Sequence, residues 1–132
     1  MSKTAFEKLW EFHTAFGQVR TTTPGLPSAD VRKLRRNLLR EEWNEYMDGE
    51  ENHDLVEIAD ALIDIIYIAL GTGVSYGLPM DELFEEVHRS NMSKLGEDGK
   101  PVYREDGKVM KGPNYSRPDL ASIVARHIAN AK

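Results

Sequence analysis

The chain has no cysteine in its 132 residues. That absence excludes a disulfide framework and any thiolate metal site, and it suits a reducing cytoplasm. Long hydrophobic runs are missing too. The longest apolar run, IIYIAL at 65–70, is far short of the roughly 20 residues a bilayer-spanning helix needs. The opening MSKTAFEKLWEFH interrupts every apolar pair with a charge, so no signal peptide is expected there. No glycine-rich loop resembles a phosphate cradle, and Gly71 and Gly73 read as room for close helix packing. The most informative absence is of basic residues: between Arg40 and Arg89 there is neither Lys nor Arg.

What is present in that window is acid. Residues 41–88 carry 14 of the 22 Asp and Glu, so most have no neighbouring base to pair with. The tail reverses the sign with Arg89, Lys94, Lys100, Arg104, Lys108, Lys111 and Arg117. The two regions are either separate solvated surfaces or two halves of one site, acids for metal and bases for an anion. A net charge of −5 argues against general nucleic-acid binding.

The length fits one domain over 1–132, with a bundle over about 3–94 and a hairpin and final helix over about 100–130. Phe6, Leu9, Trp10, His13 and Phe16 have helical spacing within 3–17. TTTPGLPSAD (21–30) is turn-rich, with Ser28 a candidate N-cap. Helices are predicted over 29–48, stopped by Gly49, over 54–76, ended by Gly77, and over 80–94. KPVYREDGKVMKG (100–112) alternates about Asp106-Gly107 as a short hairpin. A helix from Pro118 to about Asn130 closes the chain. The expected fold is all-α and four-helix-bundle-like, with a β-hairpin and a C-terminal helix appended.

At roughly 100° per residue, Glu41, Glu42 and Glu45 fall in one arc with Val31, Leu34 and Leu38, while Arg32, Lys33, Arg36 and Arg40 lie opposite. These glutamates therefore continue the core-facing stripe. The next helix is apolar nearly all round and is expected to be largely buried, yet Glu57, Asp60 and Asp64 sit on one face of it. Buried like charges without partners either protonate or are neutralised. Six carboxylates, with no His or Cys, suit Mg²⁺ or Mn²⁺ better than Zn²⁺, and magnesium brings phosphate oxygens with it. A phosphate ester or anhydride is the expected substrate.

These residues resemble the all-α nucleoside triphosphate pyrophosphohydrolases of the MazG type. REEWNEY supplies that family's EExxE motif as Glu41, Glu42 and Glu45. The ExxD motif matches literally at Glu57–Asp60, whereas the apolar stretch that follows it matches at Asp64-Ile65-Ile66-Tyr67. That alignment would put the family glutamate at 61, where Ala61 stands, so either Glu57 or Asp60 fills the position. EFHTAFG (11–17), EVHRSNMSK (86–94) and DGKVMKGPNYSRPDL (106–120) resemble the dUTP-hydrolysing branch and its phage relatives. The resemblance implies Mg²⁺-dependent cleavage of a (deoxy)nucleoside triphosphate, a pyrimidine such as dUTP or dCTP, to monophosphate and pyrophosphate. It also implies two or more ions per site and a helical dimer or tetramer.

On this reading Glu41, Glu42 and Glu45 are catalytic, and with Glu57, Asp60 and Asp64 they form the metal set. The SNMSK match assigns Lys94 a phosphate contact, though a cation there also suits the helix end. Asn91 could read a base edge or cap the helix. Lys111 and Tyr115 lie in the loop resembling the one that closes over the triphosphate, and Phe16 could stack on a base. His13 reads as packing, and an outward Trp43 points to a subunit interface. Two other functions compete: phosphoribosyl-ATP pyrophosphohydrolase, and a non-catalytic acidic helical module that binds a basic partner.

Overall fold

Side-chain caps set where the helices begin. In this computed structural model, which describes residues 2–131, Thr4 and Glu7 form a reciprocal capping box. The Glu7 N–H donates to Thr4 Oγ1 at 3.1 Å, and the Glu7 carboxylate accepts from the Thr4 N–H at 2.8 Å. Helix α1 (Ala5–Ala15) follows. Ser28 accepts from the Val31 N–H at 3.3 Å and opens α2 (Ala29–Glu51), and Asp54 accepts from the Glu57 N–H at 3.1 Å and opens α3 (Leu55–Tyr76). Then come α4 (Met80–Met92), strands β1 (Val102–Tyr103) and β2 (Val109–Met110), and α5 (Leu120–Asn130). The strands are antiparallel, with Val102 opposite Met110 and Tyr103 opposite Val109. A mostly helical chain with one short hairpin is the expected class.

Three expectations need correcting. Gly49 does not stop α2, which continues to Glu51. A Cβ at Gly49 would stand 3.1 Å from Ile58, so the glycine is there to let α3 approach. The last helix starts at Leu120 instead of Pro118, because Asp119 accepts from the Ser122 N–H at 3.1 Å and caps it two residues later. Most consequentially, α3 is not largely buried. Its Leu55, Val56, Leu62, Ile63 and Ile66 are exposed, because α1 and α2 cover only the other side.

The chain divides into two compact units, one running up to Met80 and resuming at His127, the other being Asp81–Arg126. In the first, Gly49 meets Ile58 while Arg35 reaches Ile68 and Thr72, so α2 and α3 run antiparallel. Helix α1 lies on α3, with Phe12 edge-on to Tyr67 at 5.6 Å between centroids. His13 is 1% exposed, and its Nδ1 stands 2.9 Å from the Val19 carbonyl, which also accepts from Ser75 Oγ at 2.8 Å. It packs, and burial pushes its pKa below the usual imidazole value. In the second unit, Arg89 grips Glu86 through two nitrogens at 2.7 and 2.9 Å, and the Asp119 N–H donates to the same carboxylate at 2.7 Å. Among the described residues no helix is long and apolar enough to cross a membrane.

Candidate functional site

The buried stripe of α2 runs through positions 31, 35, 38, 42 and 49, the spacing of one helix face. Glu42 lies in its middle and is half-buried, while Glu45 and Glu41 lie toward one flank and are exposed. Across from them α3 presents Asp64, half-buried, with Asp60 one turn earlier and exposed. One carboxylate oxygen each from Glu42, Glu45 and Asp64 falls within 4.8 Å of the others. Glu41, Glu57 and Asp60 stand outside this triad. Glu57 is held in the first turn of α3, where its backbone nears Gly49. Asp60 remains electrically close, since its charge helps to raise the pKa of Asp64.

The electrostatics are those of a site short of positive charge. Burial pushes the Glu42 carboxyl up to about 7, with the neighbouring Glu45 and Asp64 carboxylates adding to the effect. Burial likewise raises Asp64, followed by the repulsion of Asp60. Glu42 Oε2 is buried and has no hydrogen-bond partner, and among the described residues no Lys or Arg forms an ion pair with any of the triad. An orphaned buried oxygen among carboxylates of two helices fits a hard divalent cation. Magnesium–oxygen distances of about 2.0–2.1 Å put ligands on one ion up to about 4.2 Å apart. The exposed Glu45 side chain needs only a small swing to close the set.

One helical turn beyond Asp64, Tyr67 joins an aromatic group. Phe16 is 69% exposed and stacks on Phe12 at 4.4 Å between centroids. Phe12, Phe16, Tyr67, Lys3, Lys8 and Glu11 line an open cavity of about 460 Å³. The remaining residues singled out from the sequence lie in the second unit. Asn91 is exposed near the end of α4, and the Lys94 N–H donates to its carbonyl at 3.1 Å. The Lys94 carbonyl accepts from the Gly112 N–H at 2.8 Å, which brings the Lys111–Tyr115 loop back to the end of α4. There the Lys111 ammonium stands 4.8 Å from the centre of the Tyr115 ring. Trp43 is 53% exposed.

One residue escaped the sequence reading. Arg35 is buried on the same stripe as Glu42 and donates to Thr72 and to the Ile68 carbonyl of α3. Its spacing from Val31, Leu38 and Glu42 was the available signal, masked by the cluster of basic residues around it.

The family model for phosphoribosyl-ATP pyrophosphohydrolase matches residues 9–91, a span that contains α2, α3 and all six carboxylates. Uncharacterized protein L479 of Acanthamoeba polyphaga mimivirus is 29% identical over 112 residues, covering 82% of this chain. The chain spans only 42% of the length of that curated relative. The crystal structure of a candidate NTP pyrophosphohydrolase from Exiguobacterium sp. 255-15 is 25% identical, covers 100% of both chains and has a TM-score of 0.55.

Proposed function

The chain belongs to the phosphoribosyl-ATP pyrophosphohydrolase family, and from that premise we propose that it hydrolyses a nucleoside triphosphate to the monophosphate and pyrophosphate. The observation that carries this is the convergence of Glu42, Glu45 and Asp64 from two helices around a buried, unpartnered Glu42 oxygen. These three carboxylates would hold a divalent cation, Mg²⁺ or Mn²⁺. Glu41, Glu57 and Asp60, on the same two helices, would complete the coordination of a second ion or orient the attacking water. Bound there, the cations would offset charge on the triphosphate and lower the pKa of the water.

The chain's own groups do the rest. Phe16, stacked on Phe12 beside Tyr67, would seat the base one turn from Asp64. In the second unit, Lys94, Lys111, Tyr115 and Asn91 are proposed as phosphate- and base-binding groups. A pyrimidine deoxynucleotide such as dUTP or dCTP is the proposed substrate, in a single functional domain of a cytoplasmic protein. The uncovered stripe on α3 and the exposed Trp43 support a homodimer or tetramer.

A second reading is favoured by the family model itself: phosphoribosyl-ATP as substrate. One experiment separates the two. Purified protein is given canonical and damaged NTPs and dNTPs, and phosphoribosyl-ATP, with Mg²⁺ or Mn²⁺, and products are identified by ³¹P NMR. Pyrophosphate from dUTP or dCTP supports the main reading, and pyrophosphate from phosphoribosyl-ATP alone supports the second. Release of orthophosphate without pyrophosphate would overturn both.

A further inference from the structure

Arg35 takes no part in the acidic triad, yet it lies on the same buried face of α2 and is 5% exposed. Its Nε donates to Thr72 Oγ1 at 3.0 Å, and its Nη2 donates to the Ile68 carbonyl at 3.0 Å. The Thr72 hydroxyl donates to that same carbonyl at 2.8 Å. Among the described residues no carboxylate forms an ion pair with Arg35. A buried cation is tolerated only when its donors find partners, and here α3 accepts from Nε and Nη2 without supplying a counter-charge. Helix α1 closes the same level. A Cβ on Gly71 would stand 2.6 Å from Arg35 Nη2 and 2.9 Å from His13 Nε2, so both side chains occupy the space the glycine leaves.

Seven residues, about 10 Å of helix axis, separate Arg35 from Glu42. On α3 its partners Ile68 and Thr72 are one and two turns beyond Asp64. The same two helices therefore carry mutually repelling carboxylates at one level and a cross-tie at the next. In metal-free protein that repulsion pushes α2 and α3 apart, and the Arg35 hydrogen bonds oppose it.

We propose that Arg35 is a positioning residue: its two hydrogen bonds to α3 hold α2 at the separation from which Glu42 and Glu45 reach Asp64, so that the cradle is assembled before a cation arrives. The inference rests on the metal reading given above. A cation binds only the assembled cradle, so losing the tie costs more with the site loaded than with it empty.

The test uses Arg35→Lys, which keeps the charge and loses the planar fork, and Thr72→Val, which keeps the shape and removes the Nε acceptor. Melting is followed in EDTA and in saturating Mg²⁺, and Mn²⁺ is titrated calorimetrically. Each variant should raise the Mn²⁺ dissociation constant about three- to tenfold, the worth of one net hydrogen bond. Each should also lower the melting temperature more in Mg²⁺ than in EDTA, because a weakened site gains less stability from its cation. In EDTA, Asp64→Asn should enlarge the loss caused by Arg35→Lys, because helices that no longer repel recover nothing by parting when the tie is lost. Equal losses with and without metal, with Mn²⁺ affinity unchanged, would overturn the proposal. Absence of Mn²⁺ binding by the unsubstituted protein would instead sink the metal reading. The coupling between Arg35 and Asp64 in EDTA would then still decide the tie, additive losses counting against it.

Discussion

The Asp64 carboxylate of α3 stands within 4.8 Å of the Glu42 carboxylate of α2, and no basic side chain among the described residues is paired with either. Two half-buried acids in that relation are a cost to the fold. Burial raises both pKa values, Glu42 to about 7. A function that needs converging oxygens explains why the chain keeps them.

Removing a ligand charge should disable the site without disturbing the helices. Glu45→Gln and Asp64→Asn are each expected to lower pyrophosphate release by more than about a hundredfold, since even outer-shell partners of a metal cost 10- to 100-fold. The helical circular dichroism spectrum should not change. Activity retained in both variants would remove these residues from the mechanism.

Glu42 gives the pH dependence its sign. Its folded pKa of about 7 lies above the ordinary 4.5, so the metal-free fold binds a proton that the unfolded chain releases between those values. The contribution of Glu42 to stability therefore falls as pH rises from about 4.5 to 7, and levels off above. His13, whose pKa is lowered by burial, acts in the opposite direction below 6.5, so the readout is a difference between variants. In EDTA, Glu42→Gln should melt near the unsubstituted protein at pH 5 and above it at pH 8. Saturating Mg²⁺ should narrow the gap at pH 8. A pH-independent difference would show that Glu42 is not strained.

The uncovered stripe of α3 predicts self-association. Ile63 is 62% exposed in the single chain, and a contiguous apolar surface of this kind marks an interface. Ile63→Lys is expected to shift the protein toward monomer in light scattering coupled to size exclusion, with helix content kept. A wild-type protein that is already monomeric at micromolar concentration would contradict this.

How much of this was legible in the sequence depended on the kind of signal. Ser28 caps as its chemistry dictates, and the angular positions of Glu42 and Asp64 place them toward one another. Gly49 misled, because a glycine that ends a helix and one that admits a neighbour look alike until α3 is in place. The apolar circumference of α3 promised burial, but one chain supplies cover for only one side of it. Arg35 was hidden because local charge pattern counts arginines on a face, whereas its role is set by Ile68 and Thr72, more than thirty residues away.

The close approach at Gly49 can be tested by volume. A Cβ there would already be 3.1 Å from Ile58, so Gly49→Val should overpack the α2–α3 contact. The expected cost is roughly 1–3 kcal/mol, seen as a fall of roughly 3–12 °C in melting temperature. A variant as stable as the parent would mean that α3 can shift to make room.

The most direct measurement of the central claim is calorimetric titration of Mn²⁺ into the unsubstituted protein and into Asp64→Asn at pH 8, where Glu42 is ionised. The account predicts saturable binding by the first, weakened by at least about tenfold in the second. Equal binding by both, or none by the unsubstituted protein, would contradict it.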